Sequence, residues 1–371
     1  MNKNASKRIG FLVTGSEITS GEIINTNSAA MAAIMQEWGI NLGEHLICDD
    51  NQANIKEALI FLLSRHDAII TIGGLGPTSD DVTRLAIADT IDQKLVFNEA
   101  SWQKIVDRFT KRNNAQIPQN NRQQAFFPEH STIIANPNGT ADGCLLSVAE
   151  KHIVMLPGPP SECLPMFNKT ILPYLQDNGF QSSLRLFRWR LLGIGESLIA
   201  EQLEALSAEH HLEFAYRAHY PFIDVKLTLD PHIKYHSKIL TQVEMIVRPY
   251  FVTHLNTPMT QQLSDYLKQS QATIALDDQA TRGYFAYKIN TIETEALLLK
   301  KPHATADFQV KITGLDYLWN GQTDQTMTHF DVEITHRKKT HHFKSDVLLR
   351  GPETLAFVSE FTAWKILKIS S

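Results

Sequence analysis

The 371-residue sequence is poor in cysteine, carries little net charge and has no long uninterrupted apolar run. Cys48, Cys144 and Cys163 are odd in number and lack C-x-x-C spacing, so they fit neither a disulfide framework nor a zinc site. We expect reduced cysteines in packed positions. The net charge of −5 lacks the basic surplus of dedicated nucleic-acid binders, which argues against nucleic acid as a partner.

Membrane signals are also missing. No apolar run approaches the length of a membrane span, and the segment from Met1 to Arg8 has no signal-like apolar region. The sequence therefore predicts a cytoplasmic protein with no membrane partner.

The residues that are present predict an α/β protein of two or three domains. Apolar residues make up 43% and charged residues 20%, as in ordinary globular proteins. Strand and helix signals alternate in the first half, which predicts a doubly wound, mostly parallel sheet in residues 1–178. A small α+β domain is predicted for residues 179–255. A third, α/β region is predicted for residues 256–371, after a linker at Asn256-Thr257-Pro258.

The most informative segment is G-G-L-G-P-T-S-D-D at residues 73–81, between an apolar strand pattern and a helical pattern. Its glycines are Gly73, Gly74 and Gly76, and its acidic residues are Asp80 and Asp81. Glycines at a strand's end let backbone N–H groups approach an anionic ligand beside a helix N-terminus. Two carboxylates would repel a bare phosphate, which indicates a bridging divalent cation. The alternative is a plain strand-to-helix turn in which Asp80 or Asp81 is the N-cap.

A second turn follows the apolar run at residues 153–156, with the sequence P-G-P-P-S-E at 157–162. Pro160 suits the first position of a helix. This turn places Glu162 at the carboxyl end of another strand, where it is a candidate metal ligand or general base. The alternative is an ordinary acidic residue in the first turn of a helix.

Together these segments resemble the CinA family (competence/damage-inducible protein A and CinA-like proteins). The N-terminal domain of that family is similar to the molybdopterin-binding, MoaB/Mog-type domain of molybdenum-cofactor enzymes. The motifs occur in the family's order: G-S-E at 15–17, G-E-I-I-N-T-N at 21–27, Asp50-Asn51, the glycine turn at 73–81, N-N-R-Q-Q-A at 120–125, N-P-N-G-T-A at 136–141 and L-P-G-P-P-S-E at 156–162. Ser16 stands where the family usually has threonine.

The resemblance implies metal-dependent ADP-ribose pyrophosphatase activity in the N-terminal domain, with a nucleotide or nucleotide-sugar substrate. It implies catalytic roles for Asp50, Asp81 and Glu162, and a divalent metal ion held by Asp50 and Asp81 with support from Asp80. The implied substrate-binding residues are Ser16, Glu17, Asn25, Gly73, Gly74, Gly76, Pro77, Thr78, Arg122, Asn136, Gly139, Thr140 and Gly158. For Arg122, a surface position is the alternative to a phosphate contact.

The middle region resembles a small KH-type domain. Nucleic-acid KH modules use a G-x-x-G clamp, but Glu196 stands where the second glycine would follow Gly193. We therefore expect a spacer or dimerisation role for this region. The resemblance also implies a homodimer.

In the family, the C-terminal domain is associated with nicotinamide mononucleotide deamidase activity, and its motif is T-[IL]-A-T-A-E-S-C-T-G-G. Here the corresponding segment is T-I-A-L-D-D-Q-A-T-R-G at 273–283. The nucleophilic serine is replaced by Gln279, the glutamate by Asp278 and the first paired glycine by Arg282. Because an amide cannot act as an activated hydroxyl nucleophile, we predict a degenerate domain without deamidase activity.

Two rival functions remain open from the sequence. The glycine turn also suits a molybdopterin adenylyltransferase-like enzyme. A non-enzymatic nucleotide-binding regulatory or scaffold protein would need the same pocket without turnover.

Overall fold

The computed structural model describes residues 7–111, 117–299, 305–321 and 325–370, which form two compact units that divide between Leu186 and Phe187. Residues 1–6, on which the expectation of no signal-like segment partly rests, lie outside the described residues.

The first unit alternates strands and helices, as the sequence predicts. Its strands are β1 (Arg8–Thr14), β2 (Asn41–Cys48), β3 (Ala68–Ile72), β4 (Leu95–Phe97), β5 (Phe126–Pro128), β6 (Thr132–Ile134), β7 (Gly143–Val148) and β8 (Lys151–Leu156). Its helices are α1 (Ser16–Thr19), α2 (Asn27–Glu37), α3 (Gln52–Leu63), α4 (Thr83–Thr90), α5 (Glu99–Lys111), α6 (Pro160–Met166) and α7 (Leu172–Asp177). A 3₁₀ segment at Gln119–Ala125 and a π-helical segment at Phe167–Ile171 complete the unit.

Six of these strands form one sheet in the order β2-β1-β3-β8-β7-β6. The first four pair in parallel, and β7 and β6 extend the sheet in antiparallel fashion. Every residue of β3 is buried, as expected for a central parallel strand whose two faces are both covered. Separate apolar clusters pack on the two faces of the sheet, one around Phe11 and Phe167 and the other around Leu59 and Ile153.

The second unit contains two further sheets. Its strands are β9 (Arg185–Leu192), β10 (Phe214–His219), β11 (Phe222–Leu229), β12 (Phe251–Thr253), β13 (Ile274–Asp278), β14 (Leu298–Leu299), β15 (Phe308–Gly314), β16 (Met327–His336) and β17 (Lys339–Leu348). Its helices are α8 (Glu196–His210), α9 (His236–Val247), α10 (Met259–Ser270), α11 (Tyr284–Ile289), α12 (Asp316–Trp319) and α13 (Pro352–Ser370), with a 3₁₀ turn at Glu295–Leu297.

The first of these sheets has the order β10-β11-β9-β12, and helices α8 and α9 contribute to its apolar core. The second has the order β14-β13-β15-β16-β17, with parallel pairing around β13 and antiparallel pairing from β15 to β17. Its core gathers residues of α10, α11 and α13. The mixed α/β class and the mostly parallel N-terminal sheet are confirmed, whereas the domain boundaries and the KH-type assignment stay predictions.

The three cysteines are all free, and Cys144 and Cys163 are buried. Burial raises the pKa of the Cys144 thiol to about 12, which suits an inert packing residue. Among the helices that the structure describes, none combines the length and the apolar character needed to cross a membrane.

Candidate functional site

A cleft of about 530 Å³ opens beside the carboxyl ends of the parallel strands in the first unit. Strands β1, β3 and β8 are parallel neighbours, so the loops that follow them meet at one edge of the sheet. The lining comes from residues that follow β1, β2, β3 and β8, and from the 140–141 segment. This is the position that the sequence predicts for the glycine turn.

The lining of this cleft is strongly acidic. Its carboxylates belong to Glu17, Asp50, Asp80, Asp81 and Glu162. No lysine, arginine or histidine is among the described residues that line it. The carboxylates of the cleft therefore repel a bare anion. An anionic ligand needs an accompanying cation to bind there favourably.

Gly74 is required by the geometry of the turn. Its φ of 61° lies in the left-handed region, and a Cβ there would stand 2.0 Å from the Thr83 hydroxyl oxygen. That hydroxyl is buried and lies 2.9 Å from the Thr14 hydroxyl. A side chain at position 74 would therefore strain the backbone and displace this buried pair.

The Asp81 carboxylate folds back into the turn. It accepts 2.8 Å hydrogen bonds from the Gly76 and Thr78 amides, and one from the Thr78 hydroxyl. The alternative of Asp80 or Asp81 as an N-cap is wrong, because α4 has Val82 at its N-cap position and no side-chain cap. An incoming phosphate could use the Gly76 and Thr78 amides only after Asp81 releases them.

Arg84 supports the turn from inside the protein, and sequence reasoning missed it. Its side chain is buried and donates hydrogen bonds to the carbonyls of Leu75 at 2.6 Å and Gln124 at 3.2 Å. Burial lowers its pKa to about 10, so the guanidinium stays protonated at neutral pH. The sequence could have indicated its burial, because Arg84 lies three residues before Ile87, on the buried face of the predicted helix.

Asp50 is joined to the start of α1. Its carboxylate accepts a 2.8 Å hydrogen bond from the Ser16 amide, and its own amide donates to the Ser16 hydroxyl at 3.4 Å. Asp50 lines the cleft, whereas Ser16 is not among the lining residues. The contact to Ser16 therefore positions a carboxylate that reaches the cleft.

Glu162 is oriented by a buried asparagine. The Asn136 side-chain amide donates to Glu162 Oε2 at 2.7 Å and to the Ala141 carbonyl at 2.9 Å. The Asn136 side-chain oxygen accepts from the Gly139 amide at 2.8 Å. Asn136 thereby fixes the loop at 136–141 and the direction of a cleft carboxylate together. Pro160 is the first residue of α6, as predicted.

The structure brings most of the predicted site residues to the cleft. Those that line it are Glu17, Asn25, Asp50, Gly73, Gly74, Gly76, Pro77, Asp80, Asp81, Thr140, Gly158 and Glu162. Those that do not are Ser16, Thr78, Arg122, Asn136 and Gly139. Arg122 is exposed, and its guanidinium lies over the Phe97 ring at 4.3 Å and the Trp102 ring at 5.9 Å. This fits the alternative of a surface position, and the phosphate contact stays a prediction.

Ile23, Ile24 and Asn27 are among the lining residues that the predicted site did not include. Ile23 and Ile24 are 56% and 81% exposed, and both face the cleft. Asn27 is buried, and its amide donates to the Gly158 carbonyl at 2.6 Å. Its side-chain oxygen has no hydrogen-bond partner among the described residues. The cleft thus has an apolar lip, and its wall contains a buried oxygen acceptor without a donor among the described residues.

The donor set fits a hard cation that is shared with substrate. Within the described ranges, no three His, Cys, Asp or Glu side chains are grouped closely enough to enclose a metal ion. Mg²⁺ is commonly held by one or two carboxylates together with substrate phosphates, without a complete protein cage. Asp80 lines the cleft and is exposed, so its carboxylate is an ionised oxygen donor at neutral pH.

In the second unit, the segment predicted to be degenerate forms a closed turn after β13. The Asp278 carboxylate accepts hydrogen bonds from the Thr281 and Gly283 amides at 2.8 and 3.0 Å. The Arg282 guanidinium lies 4.0 Å from the Trp319 ring centroid, and the Trp319 indole donates to the Ala280 carbonyl at 2.8 Å. These contacts tie the turn to α12.

Comparison with known proteins identifies the family. A family model described as a probable molybdopterin binding domain matches residues 10–177. A CinA-like protein of Dictyoglomus thermophilum is 31% identical over 324 residues, which cover 83% of this chain and 76% of that protein. This chain belongs to the CinA-like family. The resemblance inferred from its motifs is thereby confirmed.

A second relative and a solved structure each match about half of this chain. A competence-damage inducible protein of Acetivibrio thermocellus is 39% identical over 194 residues, 52% of this chain and 46% of that protein. The chain thus aligns with about half the length of that relative. The crystal structure of a CinA protein from Thermoplasma acidophilum is 28% identical and covers 45% of this chain and 98% of its own, with a TM-score of 0.42.

Proposed function

We propose that the first unit hydrolyses the pyrophosphate of ADP-ribose or a related nucleoside diphosphate, giving AMP and a sugar phosphate. One observation carries this proposal: the glycine turn opens on a cleft with five lining carboxylates and no described cationic lining side chain. A pyrophosphate would be repelled there unless a divalent cation accompanied it. The cleft therefore suits a metal-dependent reaction of a phosphate ester or anhydride.

The lining carboxylates supply the metal ligands in this proposal. Asp50 and Asp81 would hold the cation, with support from Asp80. When bound, the ion neutralises charge on the phosphate oxygens and lowers the pKa of an attacking water. The Gly76 and Thr78 amides donate to Asp81 in the structure. They would be the donors for a phosphate oxygen if Asp81 turned to hold the cation.

Glu162 accepts the proton of the attacking water. Its hydrogen bond from Asn136 holds one carboxylate oxygen, which orients the other for this general-base role. Ile23 and Ile24 provide an apolar surface for the base.

The decisive assay measures AMP release from ADP-ribose with magnesium, with manganese and with a chelator. We expect turnover only with metal, and a loss of at least about tenfold in Asp50→Asn. The matched control is Asp49→Asn, because Asp49 is the neighbouring carboxylate and does not line the cleft. Equal turnover in the chelator, or equal losses in both variants, would contradict the proposed roles.

The match to a molybdopterin-binding family model favours a second candidate. An adenylyltransferase-like enzyme would transfer AMP from ATP to molybdopterin in the same cleft. The assay therefore includes molybdopterin plus ATP, with adenylylated molybdopterin as the product. Binding of ADP-ribose without either product would identify the cleft as a regulatory nucleotide site.

We propose that the second unit has lost deamidase activity. Gln279 stands where the family has its nucleophilic serine, and its side-chain amide donates to Asp277 at 3.1 Å. The neighbouring Asp278 is occupied by the turn amides. Purified protein should release no ammonia from nicotinamide mononucleotide. Ammonia release that Gln279→Ala leaves unchanged would contradict this assignment.

A further inference from the structure

A groove of about 430 Å³ in the second unit is not used by the proposed function. Its walls come from β17, α13 and two loop positions of the preceding sheet. The lining residues are Leu192, Gly193, Pro249, His342, Phe343, Lys344, Ser345, Phe357, Phe361, Trp364 and Lys365. The sheet order places β17 three strands away from β13, so this groove is separate from the turn that contains Gln279.

Lys365 is the distinctive residue of this groove. Its ammonium lies 3.5 Å from the ring centroid of Trp364, 4.7 Å from that of Phe361 and 5.1 Å from that of Phe343. No carboxylate within the described part of the chain pairs with it or acts on its pKa. Aromatic faces offset only part of the cost of removing an ammonium from water.

The other charged groups around Lys365 do not neutralise it. Lys368, on the same helix, lies 5.7 Å from the Trp364 ring and adds a like charge. On β17, His342 and Lys344 are paired with Glu333 and Asp331 of β16, each at 3.5 Å. Those carboxylates therefore already have partners.

Burial, and then the Lys368 charge, lower the pKa of Lys365 to about 8. An anion in the groove would oppose these effects, because an opposite charge close by favours the charged form of the ammonium. The groove therefore contains a cation without a counterion among the described residues.

We propose that this groove binds a small organic anion, in which a carboxylate or phosphate group pairs with Lys365 and a planar apolar body packs against the aromatic wall. The volume lies in the range of small-molecule sites, which combine apolar walls with a few placed polar groups. Phe357, Phe361 and Trp364 supply the wall, and Lys365 supplies the polar group. Lys344 and His342, which are paired with Asp331 and Glu333, lie at the rim of the groove.

Four probes test this chemistry in the full chain by titration calorimetry. Benzoate and phenyl phosphate carry the anion on a ring, benzamide is the uncharged counterpart of benzoate, and inorganic phosphate lacks the ring. We expect both ring anions to bind more tightly than either control. The tighter of the two identifies the preferred anionic group. Binding of benzamide as tight as that of benzoate, or no binding of either ring anion, would overturn the proposal.

Variants locate the site. Lys365→Met retains the aliphatic stem without the charge and should weaken benzoate binding about tenfold or more, whereas Lys365→Arg should retain it. Lys339→Met is the matched control, because Lys339 lies on β17 but does not line the groove. Circular dichroism verifies that each variant is folded. Unchanged affinity in Lys365→Met, or an equal loss in Lys339→Met, would refute the assignment of Lys365.

Discussion

Substitution of Arg84 by methionine tests whether the glycine turn is held in place from inside the protein. Methionine keeps an unbranched side chain in the buried space but removes the guanidinium. The carbonyls of Leu75 and Gln124 would then lose donors that lie at 2.6 and 3.2 Å. The first of these carbonyls belongs to the turn itself, so the effect should be centred there.

The size of the effect follows from these two contacts. A hydrogen bond to a charged group contributes about 1.5–3 kcal/mol to stability. The variant no longer carries the desolvation cost of a buried guanidinium, and this offsets part of the stability lost with the two hydrogen bonds. We therefore expect the local opening free energy of the turn to fall by about 3 kcal/mol. Since 1.4 kcal/mol corresponds to a factor of ten, amide exchange there should accelerate about a hundredfold.

Hydrogen exchange followed by mass spectrometry measures this quantity for peptides that cover residues 73–90. Arg65→Met is the control, because Arg65 forms an exposed ion pair with Glu44 at 3.6 Å and should change stability by less than about 1 kcal/mol. The metal-dependent affinity for ADP-ribose should fall with Arg84→Met and stay constant with Arg65→Met. Acceleration of less than about threefold with Arg84→Met would show that the turn does not depend on Arg84.

Three other predictions address separate features. Gly74→Ala should destabilise the first unit by at least about 1 kcal/mol, because φ is left-handed and the new Cβ meets Thr83; an unchanged melting temperature would contradict this. Benzoate affinity should fall as pH rises through about 8, where Lys365 loses its proton, and should stay level over that range in Lys365→Arg; a parallel decline in both proteins would exclude Lys365 as the titrating group. Light scattering should show a homodimer at micromolar concentration, and a monomer there would end that prediction.

The sequence predicted the first unit well because its signals are local and strong. A buried parallel strand has a nearly continuous apolar run, and β3 shows this pattern with all five residues buried. The glycine turn that follows it marks a strand end whatever the rest of the chain does. The position of the cleft then follows from the rule that ligands bind beyond the carboxyl ends of parallel strands.

The sequence did not predict β17, and the reason is physical. This strand lies at the edge of its sheet, and most of its side chains are exposed or half-buried. The strand contains polar residues such as Lys339 and Lys344 and lacks the alternating apolar pattern by which a strand is recognised in a sequence. The groove beside it was missed for the same cause, because Lys365 and β17 are brought together only by the fold.

The sequence also did not determine the roles of individual residues in the glycine turn. The pattern identifies a carboxylate beside the backbone of the glycine turn, but it does not determine whether that carboxylate faces a ligand or the turn. In the structure, the Asp81 carboxylate accepts hydrogen bonds from the amides of Gly76 and Thr78. The proposed function therefore gives Asp81 two roles, as the acceptor for the turn amides and as a ligand for the cation.

This dual position leads to a prediction about coupling between metal and phosphate. A cation that draws Asp81 away would release the two amides, so metal should strengthen phosphate binding by more than charge neutralisation alone. In Asp81→Asn the carboxylate charge is gone and the amides are held less firmly. We therefore expect inorganic pyrophosphate to bind this variant more tightly than the native protein in chelator, and to gain less from magnesium.

Asp80→Asn separates this mechanism from simple loss of charge. Asp80 also lines the cleft, but the Gly76 and Thr78 amides are bonded to Asp81 and not to Asp80. Asp80→Asn should strengthen pyrophosphate binding in chelator only because a negative charge is lost. The increase in pyrophosphate affinity that magnesium causes should persist in this variant. If the two variants behave alike in calorimetry, Asp81 acts as one more negative charge in the cleft. If Asp81→Asn weakens pyrophosphate binding in chelator, the Asp81 carboxylate supports the structure of the turn and does not compete with phosphate for the turn amides.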